Sequence, residues 1–190
     1  MNDKLQKIQL DLERIQSHLP SGSNGYVDEG LSVIACRQAL DAVAQGNYGV
    51  GCVLVDPAGQ VVEQGHNQVF TPYFRSDRHA EMVVMDAFED HYQGVEDMSG
   101  YMLLSTLEPC PMCLTRLIAA RVGTVKYIVP DSGGGMVSHM DCLPMSFINL
   151  AQHQSFVQAS SSPAIQKLAT DLFLLNLHEM RARLFKRSQQ

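Results

Sequence analysis

The chain has 190 residues, 45% of them hydrophobic, which suffices for one domain with a sizeable core. No apolar run approaches the length needed to span a bilayer. The 14 basic and 20 acidic residues leave a net charge of −6, which disfavours a large polyanionic partner without ruling out a local basic patch.

In chain order, Leu5, Ile8, Leu12, Ile15 and Leu19 recur at three- and four-residue steps and predict an amphipathic helix over 3–18. This N-terminal stretch is polar and lacks the apolar core of a secretion signal, so a cytoplasmic, reducing location is expected. Residues 20–25, rich in Pro, Ser and Gly, read as a linker. A second helix is predicted over 28–45, its buried face built from Leu31, Ile34, Ala35, Ala39, Ala42 and Val43, with Gly46 ending it. Residues 50–56 are nearly all apolar and read as a strand covered on both faces. A turn at 56–59 and a return strand over 60–65 complete a hairpin.

The segment 67–78 is irregular and carries Phe70, Tyr73 and Phe74, which suit either stacking on a flat ring or plugging a loop. A helix follows over 79–92, a strand over 98–106, a helix over 110–121 and a strand over 124–130. Pro111 fits the first helical position, where a missing N–H costs nothing. The stretch 131–154 is the least legible. Gly133, Gly134 and Gly135 open it without a phosphate-loop pattern, and Pro144 interrupts a short helix over 141–151. A fifth strand is predicted over 155–159. One long helix is predicted over 163–186, whose basic end (Arg181, Arg183, Lys186, Arg187) reads as a solvated helix terminus.

Two short stretches carry chemistry. His79-Ala80-Glu81 and Pro109-Cys110-Pro111-Met112-Cys113 both sit where helices begin. One His and two Cys supply three zinc ligands, and three protein ligands leave a tetrahedral position free for water. Cys110 and Cys113 share a face of one helical turn. Taken singly, each half is weak. A lone Cys-x-x-Cys also serves redox pairs and half-sites of structural zinc, and His66, His91 and Cys142 are candidate fourth ligands by residue type. Five cysteines, an odd number, argue against a disulfide framework. Cys36 and Cys52 read as buried inert thiols.

Together the halves match H-x-E followed by P-C-x-x-C, the signature of zinc deaminases that act on nucleobases. Thr106 to Cys113, residues 49–56 and Asn67 after Gly65-His66 resemble the cytidine/deoxycytidylate deaminase superfamily. The resemblance is nearest to its guanine deaminase, cytosine deaminase and tRNA adenosine deaminase branch. It covers about 28–129, and more weakly the C-terminal helix.

The resemblance implies a three-layer α/β/α fold on a mixed, about five-stranded sheet, which the alternation of strands and helices also indicates. It implies a deaminase domain over 26–190, preceded by a helix and linker over 1–25. It implies Zn2+ held by His79, Cys110 and Cys113, Glu81 as the proton-transferring residue and Asn67 as a base contact. Glu108 would then be a structural neighbour of the metal ligands. A homodimer is expected on the same ground.

The leading expectation is hydrolytic deamination of a free nucleobase, nucleoside or related aminated heterocycle, with a small-molecule partner and no nucleic acid. A tRNA adenosine deaminase and a non-catalytic zinc protein are the alternatives, the second disfavoured by an intact Glu81. The sequence departs from the branch at Arg75-Ser76-Asp77-Arg78 before the zinc His, and at the bulky Val83, Val84 and Met85 after it. Arg75 and Arg78 either meet an anionic substrate group or pair with Asp77. The segment 131–154 could form a lid that chooses the base.

Overall fold

In the computed structural model, residues 3–17 and 25–187 are described. Five strands form one sheet: β1 (Gly51–Val55), β2 (Val61–His66), β3 (Met102–Leu107), β4 (Thr124–Val129) and β5 (Ser155–Gln158). Their order is β2-β1-β3-β4-β5. β1 runs antiparallel to both β2 and β3, whereas β3–β4 and β4–β5 are parallel. The sheet is therefore mixed and five-stranded, as expected. The linker expected over 20–25 lies outside the described residues except for Gly25.

Side-chain alternation along the strands explains the three layers. Val53 and Val55 of β1 pack with Leu104 and Ile128 against α1 (Asp3–Ser17), α2 (Glu29–Ala44) and α6 (Pro163–Leu175). Cys52 and Leu54 point the other way and pack with Leu103 and Val125 against α3 (Ala80–His91) and α4 (Pro111–Ala119). Every residue of β1 is buried, so its continuous apolar run reflects a central strand covered on both faces. Where β1 starts, α2 lies so close that a Cβ on Gly51 would run into the Ala35 carbonyl. Ile8 and Leu12 bury the stripe of α1 in the same core. No described helix is long and apolar enough to cross a membrane.

The C-terminal part corrects one expectation. The single helix foreseen over 163–186 is broken at Asn176 into α6 and α7 (Leu177–Lys186). Asn176 leaves helical geometry (φ −124°, ψ 8°), and its side-chain amide donates to the backbone oxygen of Asn47. A tertiary hydrogen bond thus outweighs a periodicity that continues across the break. The stretch 137–151 forms a 3-10 segment (Val137–Cys142) and α5 (Met145–Ala151), with Pro144 between them. Both pack on Leu114 and Ile118 of α4.

Candidate metal centre and catalytic pocket

Parallel β3 and the start of β1 end beside the N-termini of α3 and α4. His79 and Cys110 are the N-cap residues of those helices, both with extended backbone (ψ 159° and 170°), and Cys113 lies in the first turn of α4. This brings the ligand atoms together. Cys110 Sγ is 3.5 Å from His79 Nδ1, Cys113 Sγ is 3.6 Å from it, and the two sulfurs are 3.7 Å apart. A tetrahedral zinc ion with Zn–S of about 2.3 Å and Zn–N of about 2.05 Å requires S···S near ~3.8 Å and S···N near ~3.6 Å. The triangle has those dimensions, so the donor set fits zinc. Among the described residues this is the one such group. The candidate fourth ligands are engaged elsewhere: His66 with Gln38, His91 with Glu63, and Cys142 with Asp141.

The thiols are electrostatically unequal. Cys110 falls to about 4, because Cys113 donates to its sulfur and the nearby His79 favours the thiolate, which together outweigh burial. Cys113 is pushed well up by that same proton, which it carries, and by burial. Burial opposes charge on His79, yet Cys110 and the carboxylates of Glu81 and Asp77 hold its pKa above the ordinary value.

Glu81 is 4% exposed, and burial raises its pKa, with His79 only partly opposing the shift. Ser105 Oγ on β3 donates to Glu81 Oε1 at 3.2 Å, and Cys113 Sγ lies 3.4 Å from Oε2. A buried carboxyl with a raised pKa, beside three metal-ligating atoms, is suited to accept and return a proton.

His79, Glu81 and Cys110 face a cavity of about 310 Å3, within the range of small-molecule sites. Asn67 borders it and fills a turn role, its Oδ1 accepting from Val69 N at 3.1 Å. Phe74 forms part of the wall, Phe70 is a buried plug against Tyr48 and Phe74, and Tyr73 is exposed away from the cavity. Arg75 pairs with Asp77, and Arg78 with Asp86 and Gln68, so neither borders the cavity. Glu108 anchors the next loop: Oε2 accepts from Asp131 N and Oε1 from Ser138 N, both at 2.9 Å. Of the stretch 131–154, Asp131 and Gly134 border the cavity, while apolar side chains between Met136 and Ala151 pack on α4.

Sequence reasoning missed the opposite wall. Phe173, Leu177, Arg181 and Leu184 from α6 and α7 line it, so the basic end of the chain is more than a solvated terminus. α7 is held there by buried Met180 packed with Val69 and Phe70, by Arg183 donating to Gly46 O, and by Arg183 lying over the Phe70 ring. Cys36, raised to about 12 by burial, and the buried Cys52 remain outside the site.

A three-residue zinc centre flanked by a buried carboxylate, at helix N-termini on a mixed sheet, defines a zinc-dependent deaminase. The chain belongs to the cytidine and deoxycytidylate deaminase zinc-binding family, which matches residues 26–129. It is 34% identical to the tRNA-specific adenosine deaminase of Bacillus subtilis over 129 residues, 68% of this chain and 74% of that one. A structure solved in work on A-to-I editing by tRNA:A34 deaminases superposes with a TM-score of 0.59 at 25% identity, covering 73% of this chain and 95% of the other. The guanine deaminase of Nitrosomonas europaea shares the fold (TM-score 0.55, 16% identity, 82% and 96% covered).

Proposed function

We propose that this chain hydrolytically removes an exocyclic amine from a free nucleobase, nucleoside or related aminated heterocycle, releasing ammonia. The observation that carries the reading is that Glu81, held by Ser105, shares one small cavity with His79 and Cys110, while Cys113 closes the triangle beneath it. In this reading His79, Cys110 and Cys113 hold the zinc ion. Bound there, zinc lowers the pKa of water to about 7. Glu81 accepts one proton from the attacking water and passes it to a ring nitrogen, then carries the second, from the hydroxyl of the adduct, to the departing amine, so that amine and water become carbonyl and ammonia. Such proton transfer is typically worth about 10²–10⁴-fold. Asn67 orients the ring from the opposite side.

A second reading, deamination of adenosine in tRNA, is favoured by two observations. The relatives include enzymes of that name, and the basic α7 borders the cavity mouth although the chain as a whole is acidic.

The test is ammonia release from the zinc-loaded chain across bases, nucleosides, nucleotides, aminated triazines and a tRNA anticodon stem-loop, with Glu81→Gln as control. A product that disappears in the variant while zinc stays bound supports the reading. Zinc bound with no ammonia from any substrate rejects it.

A further inference from the structure

Donors and acceptors around the cavity are unevenly committed. Its carboxylates are engaged inside the protein: Glu81 by Ser105, Glu108 by Asp131 N and Ser138, and Asp131 Oδ1 by Gly133 N. Three donor-bearing residues on the rim are not. Arg181 from α7, Tyr48 from the turn before β1 and Ser76 from the 67–78 segment all border the cavity. None of their side chains has a hydrogen bond or ion pair to another described residue.

Arg181 also stands apart from its neighbours on α7. Arg183 donates to Gly46 O and lies 4.4 Å over the Phe70 ring, and Arg187 lies 3.8 Å over the Phe74 ring. Arg181 is the one lysine or arginine among the described residues that borders the cavity. Its charge reaches the rim: burial raises the Tyr48 phenol, and Arg181 pulls it back.

A guanidinium and two hydroxyls that share one cavity and have no partner among the described residues suit a group that accepts hydrogen bonds and carries negative charge. We propose that Arg181, with Tyr48 and Ser76 beside it, binds a phosphate carried by the substrate, so that the chain prefers a phosphorylated nucleoside to the bare nucleoside or base. This rests on the deaminase reading above and narrows its substrate class. A guanidinium presents its donors as a planar fork that matches phosphate oxygens, and such charge-assisted bonds are stronger than neutral ones. The phosphate has two possible sources, a mononucleotide or the phosphodiester next to a base in single-stranded RNA.

Calorimetric titration of the zinc-loaded chain with nucleoside 5′-monophosphates, their nucleosides and short single-stranded RNAs tests this without requiring turnover. A phosphorylated probe is expected to bind about 10- to 100-fold tighter than its nucleoside, the size of one charge-assisted contact. Arg181→Ala should erase that preference, so that nucleotide and nucleoside bind alike. Arg181→Lys should keep part of it, and Arg187→Ala should keep all of it for mononucleotides. The preference should shrink as salt is raised, because the rim is solvent-exposed.

An Arg181-dependent preference seen with RNA but not with mononucleotides assigns the phosphate to a strand. Equal binding of nucleotide and nucleoside, a preference that survives Arg181→Ala, or no binding of any phosphorylated probe overturns the proposal. Ammonia release is scored separately. A nucleotide bound through Arg181 without ammonia sinks the deaminase reading alone, and turnover of a bare base with no phosphate preference sinks this one alone.

Discussion

Gly135 sits against the carboxylate of Glu108, so closely that a Cβ at Gly135 would lie 2.5 Å from Glu108 Oε2. The same carboxylate accepts from Asp131 N and Ser138 N on either side of that glycine. The loop therefore folds around Glu108, one residue before Pro109 and two before a metal-ligating cysteine. Gly135→Ala must push the carboxylate or the loop away. It should cost about 1–3 kcal/mol, which for a chain of this size lowers Tm by about 2–4 °C per kcal/mol. Melting curves of the two zinc-loaded proteins decide it, and an unchanged Tm would show that the loop yields freely.

Ser105, fully buried on β3, donates to Glu81 Oε1. Ser105→Ala removes the donor while leaving the three metal-ligating side chains intact. Turnover should fall about tenfold or more, the value of one hydrogen bond to a charged group, with zinc content unchanged. Loss of zinc in this variant would instead assign Ser105 to folding of the centre.

Metal removal should act on stability as well as on rate, because the three candidate ligating atoms come from the starts of two helices that a bound ion would join. A strong chelator should abolish ammonia release and lower Tm, and stoichiometric zinc should restore both. Cys113→Ser should bind less than one equivalent of zinc per chain. Full activity in a chain shown to be free of zinc would remove the metal from the mechanism.

Burial lowers the pKa of His66 from 6.5, with Asp41 only partly opposing the shift. Its Nδ1 faces Gln38, and its Nε2 is buried with no partner, so a charged ring would leave a donor unmatched. A depressed folded-state pKa means that the unfolded chain binds the extra proton first. Stability from this residue is complete above pH 6.5 and is lost as pH falls from there toward the folded-state value. Denaturation midpoints measured from pH 8 to 5 should fall less steeply for His66→Gln than for the parent. Parallel curves would clear His66 of any part in acid sensitivity.

Met180 pins α7 to the body through Val69 and Phe70 and is 1% exposed. Met180→Ala should cost about 2–5 kcal/mol of packing, concentrated in the docking of α7. Because Leu177, Arg181 and Leu184 form a wall of the cavity, KM should rise more than kcat falls. Equal loss in both would place α7 closer to the chemistry than its position indicates.

The layers and the metal triangle were legible in the sequence for physical reasons. Val53 and Val55 alternate with Cys52 and Leu54, and a strand buried on both faces admits little else. Proline directly after Cys110 marks a helix start, which places Cys110 and Cys113 on one turn. The break at Asn176 was not legible, since Phe173, Leu177, Met180 and Leu184 keep helical spacing across it. Only contact with Asn47, 129 residues earlier, explains it. The place of Arg181 on the cavity wall was hidden for the same reason. A basic helix end looks alike in sequence whether it faces water or a substrate, and the turn at Asn176 decides which.

The wall that includes Arg181 lies beyond residue 129, whereas the metal triangle and Glu81 lie before it. One wall of the cavity thus comes from a later stretch of the polypeptide than the metal-site residues, while Tyr48, Asn67 and Ser76 line it from the earlier stretch. Substitutions on α7, which packs outside the main core, can reshape that wall without touching the metal-ligand triangle. A change of diet, in this architecture, requires no change of teeth.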